Sequence, residues 1–402
     1  MADDTRLQAL RAFVAAAAEE VRMPGASVGV WTGGEAAYAS YGVTSLENPV
    51  LVDPDTVFLL GSVTKTYTAT ALMALVADAQ VNLAAPVRDY LPELRLTDDR
   101  ATAQITVRHL LNHTSGLGWG LIADTGEGDD ALAAYVSRLD EVEQVARPGT
   151  RATYSQAGFN MAGRILEKVT GLSYEHAVAS LLFEPLGLAH SHFDRDDIMT
   201  RGFSVGHNLG QDDRLHVARL WRRARGDNPG GGLASSAADQ LRWAAFHLGD
   251  GSVAGSGRVL PAEVLAQMRE PTVRLRRSTL GDAVGLGWFL RDIDGVRVVG
   301  HGGTANGQFA ELLMVPERDF AVVSLANAGP DGLAFNQTVV RWALLTYVGV
   351  TDRHPEPPPY NEVLTRELLS RYESDAGPHG GRRWVGAPRR ARDACRVFGR
   401  SP

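Results

Sequence analysis

Residues 59–79 read LLGSVTKTYTATALMALVADA. From position 63 the run is apolar and threonine-rich, free of Gly and Pro, and predicts a helix over 63–79 opened by Leu59-Leu60-Gly61. Ser62 and Lys65 stand three apart at its start, so Ser62 Oγ and Lys65 Nζ can meet on one face of the first turn. The free N–H groups of a helix start also point at an incoming anion. A lysine placed there can surrender its proton and act as a base, which an arginine does not do. The plainer alternative is a solvated lysine beside a capping serine. Composition bears on the choice. The chain has 402 residues and 40 basic side chains, of which only Lys65 and Lys168 are Lys and 38 are Arg.

The same composition excludes several classes of protein. The length suits one large domain or two medium ones, and 44% hydrophobic residues is too many for a largely disordered chain. A net charge of −7 argues against broad nucleic-acid binding, which needs a basic face. One cysteine, Cys395, excludes an intramolecular disulfide framework and a Cys-based zinc site. Residues 1–22 start acidic and carry charges within their apolar stretch, which predicts a surface helix rather than a secretory signal. No apolar run reaches 18 residues, so no membrane span is expected, and the default location is the cytoplasm.

Working outward, residues 26–30 and 36–42 form a β-prone pair around Thr32-Gly33-Gly34, a hairpin pattern. Helices are predicted over 106–113, 131–144, 157–169, 173–183, 237–248 and 262–269. Strand-like runs return at 284–290, 296–299, 309–315 and 320–325, followed by a last helix over 333–348. Strands, then helices, then strands imply an α/β (α+β) fold: an antiparallel sheet built from both chain ends, flanked by the terminal helices, with a helical lobe between. The expected division is a sheet region over 1–62 and 250–350, and a helical lobe over 63–249. A Pro-rich linker and short helix follow over 351–372. Residues 373–402 hold seven Arg and three acids and read as a disordered tail, leaving a body of charge −11.

Two further clusters can carry chemistry. Thr153-Tyr154-Ser155-Gln156 leads into a predicted helix, where a loop tyrosine can present its phenol to a cleft as general acid or base; alternatively the ring only packs at the helix start. Gly300-His301-Gly302-Gly303-Thr304 follows the run 296–299. Consecutive glycines at a strand permit close approach of a substrate or another backbone. An edge N–H there, that of Thr304, would complete an oxyanion hole with the N–H of Ser62; the alternative is a glycine-rich turn with a surface histidine. Three other matches are discounted. Ser27 and Ser204 sit in Gly-x-Ser-x-Gly patterns without the required strand-turn-helix context. His109 and His113 have zinc-site spacing but no adjoining Glu or third ligand. The glycines at 126 and 128 stand among acids that would repel a pyrophosphate.

Together, in this order, the three clusters resemble the serine β-lactamase and penicillin-binding-protein superfamily, especially its class C and esterase branch. Residues 105–117 (ITVRHLLNHTSGL), 160–171 (NMAGRILEKVTG), 231–236 (GGLASS) and 315–327 resemble further family segments, so the likeness spans about residues 8–350. The resemblance implies a β-lactamase/transpeptidase-like fold and two-step acyl transfer through an acyl-enzyme, without metal or organic cofactor. It implies Ser62 as nucleophile and Lys65 with Tyr154 as proton carriers. The N–H groups of Ser62 and Thr304 would bind the oxyanion, and His301, Gly302 and Gly303 would line the cleft at the family's Lys-Thr-Gly position. Two departures shape the expected substrate. His301 replaces a permanent cation with a mostly neutral imidazole, which favours carboxylic esters or small uncharged amides over carboxylate-bearing β-lactams and peptides. Gln156 stands where the Tyr-x-Asn pattern has Asn, which moves the amide by one methylene and puts its contact with a substrate carbonyl in doubt. A β-lactamase or D,D-peptidase, an acyltransferase and a silent sensor protein are the alternatives.

Overall fold

The computed structural model describes residues 2–352 apart from 122, 222, 223, 276, 277 and 279. Of the expected linker only Thr351 and Asp352 fall inside that range. The remainder of it, and the Arg-rich tail with Cys395, lie outside the described residues.

The strands that form the main sheet are β1 (Gly25–Thr32), β2 (Glu35–Gly42), β3 (Val273–Arg274), β4 (Ala283–Val284), β5 (Phe289–Ile293), β6 (Val296–Ala305), β7 (Gln308–Val315) and β8 (Phe320–Ala326). Their spatial order is β3-β4-β5-β6-β7-β8-β1-β2, antiparallel throughout. The two chain ends meet where Ala26 faces Ala326 and Thr32 faces Phe320. Every residue of β8 is buried, because helices cover both faces of the sheet at this central strand.

One face carries α1 (Ala2–Glu20) and the last helix, which place Leu10, Val14, Phe335 and Val339 against Val28, Val30 and Val322. The ring of Phe13 stacks on Trp342 at 4.5 Å, joining the two terminal helices to each other. The opposite face meets the helical region through Ala237–Leu248, whose Leu241 packs with Leu312, Met314 and Val323. At the centre of that region lies α2 (Thr64–Ala77), buried from Thr64 to Leu75. A helix buried all round must satisfy its polar groups internally. The hydroxyls of Thr66 and Thr70 donate to the carbonyls of Val63 and Thr66, and that of Thr68 to the carbonyl of Pro229. Tyr67 stacks on Trp243 at 3.9 Å.

The sheet, its order of assembly and the flanking terminal helices agree with the expected fold class. Several element bounds need correction. The helix expected over 106–113 ends at Leu111, since His113 takes φ +60° and turns the chain out of the helix. That over 131–144 is helical only across Ala131–Ser137, and that over 173–183 passes from Tyr174–Val178 into a π-type turn. Residues 284–290 are not one strand. The chain reverses between β4 and β5 around Gly285 and Gly287, where Gly287 takes φ +79° and a Cβ would stand 2.5 Å from that of Ala69. Among the described residues, no helix is long and apolar enough to cross a membrane.

Candidate active site

Ser62 occupies a single 3-10 turn, Gly61–Val63, from which α2 continues. Gly61 adopts φ +53°, and a Cβ on it would fall 2.6 Å from Thr304 N and 2.4 Å from Thr304 O on β6. Gly303, on the same strand, answers it: a Cβ there would lie 1.9 Å from Leu60 O and 2.8 Å from Ser62 N. Only two glycines let the turn and the strand meet backbone to backbone. The seam so formed sets the backbone at Ser62 against that of Gly303 and Thr304.

Lys65 is fully buried one helical turn on. Its Nζ donates to Ser62 Oγ at 3.2 Å, to Gln156 Oε1 at 2.8 Å and to Gly230 O at 2.5 Å, and lies 4.9 Å above the centre of the Tyr154 ring. Three acceptors match the three N–H bonds of an ammonium, so the burial of this charge is compensated. Gln156 is itself buried and spends both ends of its amide: Oε1 accepts from Lys65 while Nε2 donates to Asp227 O at 3.3 Å. The extra methylene is accommodated by Gly230, where a Cβ would stand 1.8 Å from Gln156 Nε2.

Tyr154 precedes α3 (Gln156–Thr170), which Ser155 caps by accepting from Gly158 N. His113 fixes it from both sides. Its carbonyl accepts from Thr153 N at 2.7 Å and its Nδ1 from Ser155 N at 3.1 Å, while its ring lies 4.5 Å from that of Tyr154. A ring nitrogen that accepts carries no proton, so Nε2–H is the neutral tautomer of His113. Burial, with the Lys65 charge second, holds its pKa well below the ordinary histidine value.

His301 lies on β6 opposite Leu312 of β7 and is buried beside Phe289. Burial and the nearby Lys65 charge push its pKa down to about 3, so the ring is neutral at pH 7. Its Nδ1 donates to Gly302 O at 2.6 Å, which leaves Nε2 as a lone-pair acceptor with no partner among the described residues. The position therefore presents neither a cation nor a donor.

Ser62, Lys65, Tyr154, Gln156, His301, Gly303 and Thr304 thus meet at one seam between α2, α3 and β6, whereas Gly302 faces Glu311 on the other side of the strand. Sequence reasoning passed over Gly230, Asp227 and the bracing role of His113. His113 stands in the quoted segment 105–117, and Gly230 directly precedes the glycine pair at 231–232. The discounted motifs are structural. From β1, Ser27 Oγ donates to Asp53 O, and Ser204 Oγ donates to Thr44 O while accepting from Asn327. His109 Nδ1 accepts from Thr106 N as a helix cap, and the turn at His113 takes the two histidines off a common helical face.

The Beta-lactamase family matches residues 10–344. The chain is 34% identical over 367 residues to penicillin-binding protein 4 of Amycolatopsis lactamdurans, covering 89% of this chain and 95% of that protein. Its fold is similar to that of the octameric penicillin-binding protein homologue from Pyrococcus abyssi, with a TM-score of 0.72 at 22% identity, covering 90% of this chain and 81% of the other. It is also similar to a D-stereospecific amidohydrolase from Streptomyces sp., with a TM-score of 0.65 at 24% identity, covering 82% and 97%.

Proposed function

The chain belongs to the beta-lactamase family of serine hydrolases, and from that premise we propose that it hydrolyses carboxylic esters or small amides and peptides through an acyl-Ser62 intermediate. The observation that carries this reading is the 3.2 Å contact of Lys65 Nζ with Ser62 Oγ at the seam with β6. In the first step Ser62 Oγ attacks the carbonyl carbon, and its proton passes to Tyr154, which enters the step as the phenolate beside the Lys65 ammonium. The carbonyl oxygen becomes an oxyanion between the N–H groups of Ser62 and Thr304. As the tetrahedral centre collapses, the bond to the leaving oxygen or nitrogen breaks and that atom takes the proton back. Water then attacks the acyl-serine by the same route and frees the acid. Gln156 and Gly230 hold Lys65 in place, and His113 holds Tyr154.

The disfavour for a carboxylate at β6, next to the scissile bond, rests on His301. A neutral ring offering only a lone pair gives a carboxylate next to the scissile bond nothing to bind. The amidohydrolase among the structural neighbours agrees with an amide substrate. The name of the 34%-identical relative favours a second reading, a β-lactamase or D,D-peptidase on the same site.

Hydrolysis of p-nitrophenyl acetate and butyrate by wild type, Ser62→Ala and Tyr154→Phe tests the proposal. Ser62→Ala should abolish turnover, and Tyr154→Phe should lower kcat by about 10²-fold or more. A fluorophosphonate adduct should map to the peptide containing Ser62. Full activity in Ser62→Ala overturns the assignment; nitrocefin turnover comparable to that of the esters favours the second reading.

A further inference from the structure

Next to the catalytic seam, beginning at Tyr154 and His113, lies a cavity of about 450 Å³. Its floor is apolar, with Val273, Leu280, Val284 and Phe289. Two guanidinium groups line it: Arg151, from the loop that leads to Tyr154, and Arg274, from the edge strand β3. No Asp or Glu lines the cavity among the described residues. Neither guanidinium makes a hydrogen bond or ion pair with any described residue. In the cavity behind β6, by contrast, Arg291 and Arg341 both pair with Asp352.

In a chain of net charge −7, carboxylates are plentiful. Two exposed guanidinium groups bordering one cavity, with no carboxylate among its described lining residues, raise the local potential and favour an anion there. Guanidinium forks match the paired oxygens of carboxylate, sulfonate and phosphate groups, and the apolar floor suits a spacer that carries such a group. The cavity meets the chemistry at Tyr154, the residue that returns a proton to the leaving atom. The part of a substrate it receives is therefore the leaving part.

We propose that Arg151 and Arg274 form an anion subsite, so that the preferred substrate is an ester or amide whose leaving group bears a negative charge beyond an apolar spacer. This deepens the serine hydrolase reading and rests on it. It is compatible with a neutral His301, which governs groups at β6 rather than those reached past Tyr154.

Two esters with matched leaving groups test it: para-acetoxybenzenesulfonate, which is anionic, and para-acetoxybenzenesulfonamide, which is neutral. Wild type should show the lower KM for the sulfonate. In Arg151→Gln/Arg274→Gln the ratio of the two KM values should fall by about tenfold, since two charge-assisted contacts are lost. In Arg151→Glu/Arg274→Glu the preference should reverse towards an acetoxyphenyl trimethylammonium ester, an inversion that loss of packing alone does not produce. Turnover of the sulfonamide shows in each case that the variant has folded; the single substitutions serve where a double one has not. An unchanged KM ratio in the glutamine variant overturns the subsite and leaves the hydrolase reading standing. Ester turnover that survives Ser62→Ala overturns the hydrolase reading itself.

Discussion

Lys65 and Lys168 are the only lysines of the chain, and the structure gives them opposite surroundings. Lys168 pairs with Glu93 at 3.1 Å on the surface, with both side chains well exposed, where an arginine would serve equally. Lys65 is sealed beneath Ser62, and its ammonium fills a site with room for one nitrogen and three acceptors. A guanidinium is wider, and its proton is not released at accessible pH. Lys65→Arg should therefore lower kcat for p-nitrophenyl acetate by about 10³-fold. Lys168→Arg should leave kcat near the wild-type value and stability within about 0.5 kcal/mol, as read by urea unfolding. The place of Lys65 was legible in the sequence from the three-residue spacing to Ser62. The duty of Gln156 was not. Its partners depend on Gly230, and no local pattern announces that one residue's missing side chain makes room for another's extra methylene.

Among the elements, β6 was the least legible. Strand propensity fails at Gly300, Gly302 and Gly303, so the run seemed to stop at Val299, yet pairing with β7 continues to Ala305. The ladder needs only main-chain groups, and the glycines are there for what crosses the strand rather than for the strand itself. The hairpin between β4 and β5 was missed for a related reason. Its turn is imposed by contact of Gly287 with α2, a tertiary effect, while the flanking residues are uniformly apolar. The helix over Ala237–Leu248, by contrast, matched to the residue, because Ser236 caps it by accepting from Asp239 N. The glycines of β6 also supply a direct test. Gly303→Ala puts a methyl group where Leu60 O and Ser62 N now lie. The turn must retreat from the strand, and kcat should fall by about 10²-fold or more, the scale of losing an oxyanion donor. Circular dichroism should still show a cooperative unfolding transition, because the strand ladder to β7 is intact.

At the level of the whole molecule, the alternation of strand-rich ends and a helix-rich middle was enough to anticipate one sheet built from both chain ends and flanked by the terminal helices. It did not reveal what the sheet encloses. Behind β6, against the last helix, the absent side chains of Gly300 and Gly302 leave a cavity of about 140 Å³ into which Glu311 projects. A Cβ on Gly302 would stand 2.7 Å from its Oε2. Burial pushes the Glu311 carboxyl up to about 7, with Arg291 opposing the shift. A carboxyl whose pKa is raised on folding stabilises the native state fully below its unfolded value, near 4.5, and that contribution is lost as pH rises towards 7. Glu311→Gln removes the ionisation. Its Tm relative to wild type should therefore climb between pH 4.5 and pH 7.5 in differential scanning calorimetry, and a flat difference would refute this account. The closure of the sheet by both chain ends has a further consequence, in the order of synthesis. Ser62 and Lys65 emerge from the ribosome well before the strand bearing Gly303 and Thr304 is made. With β6 as the oxyanion strand, a nascent or truncated chain carries its nucleophile without the means to stabilise an attack, and it stays inert until its final strands are in place.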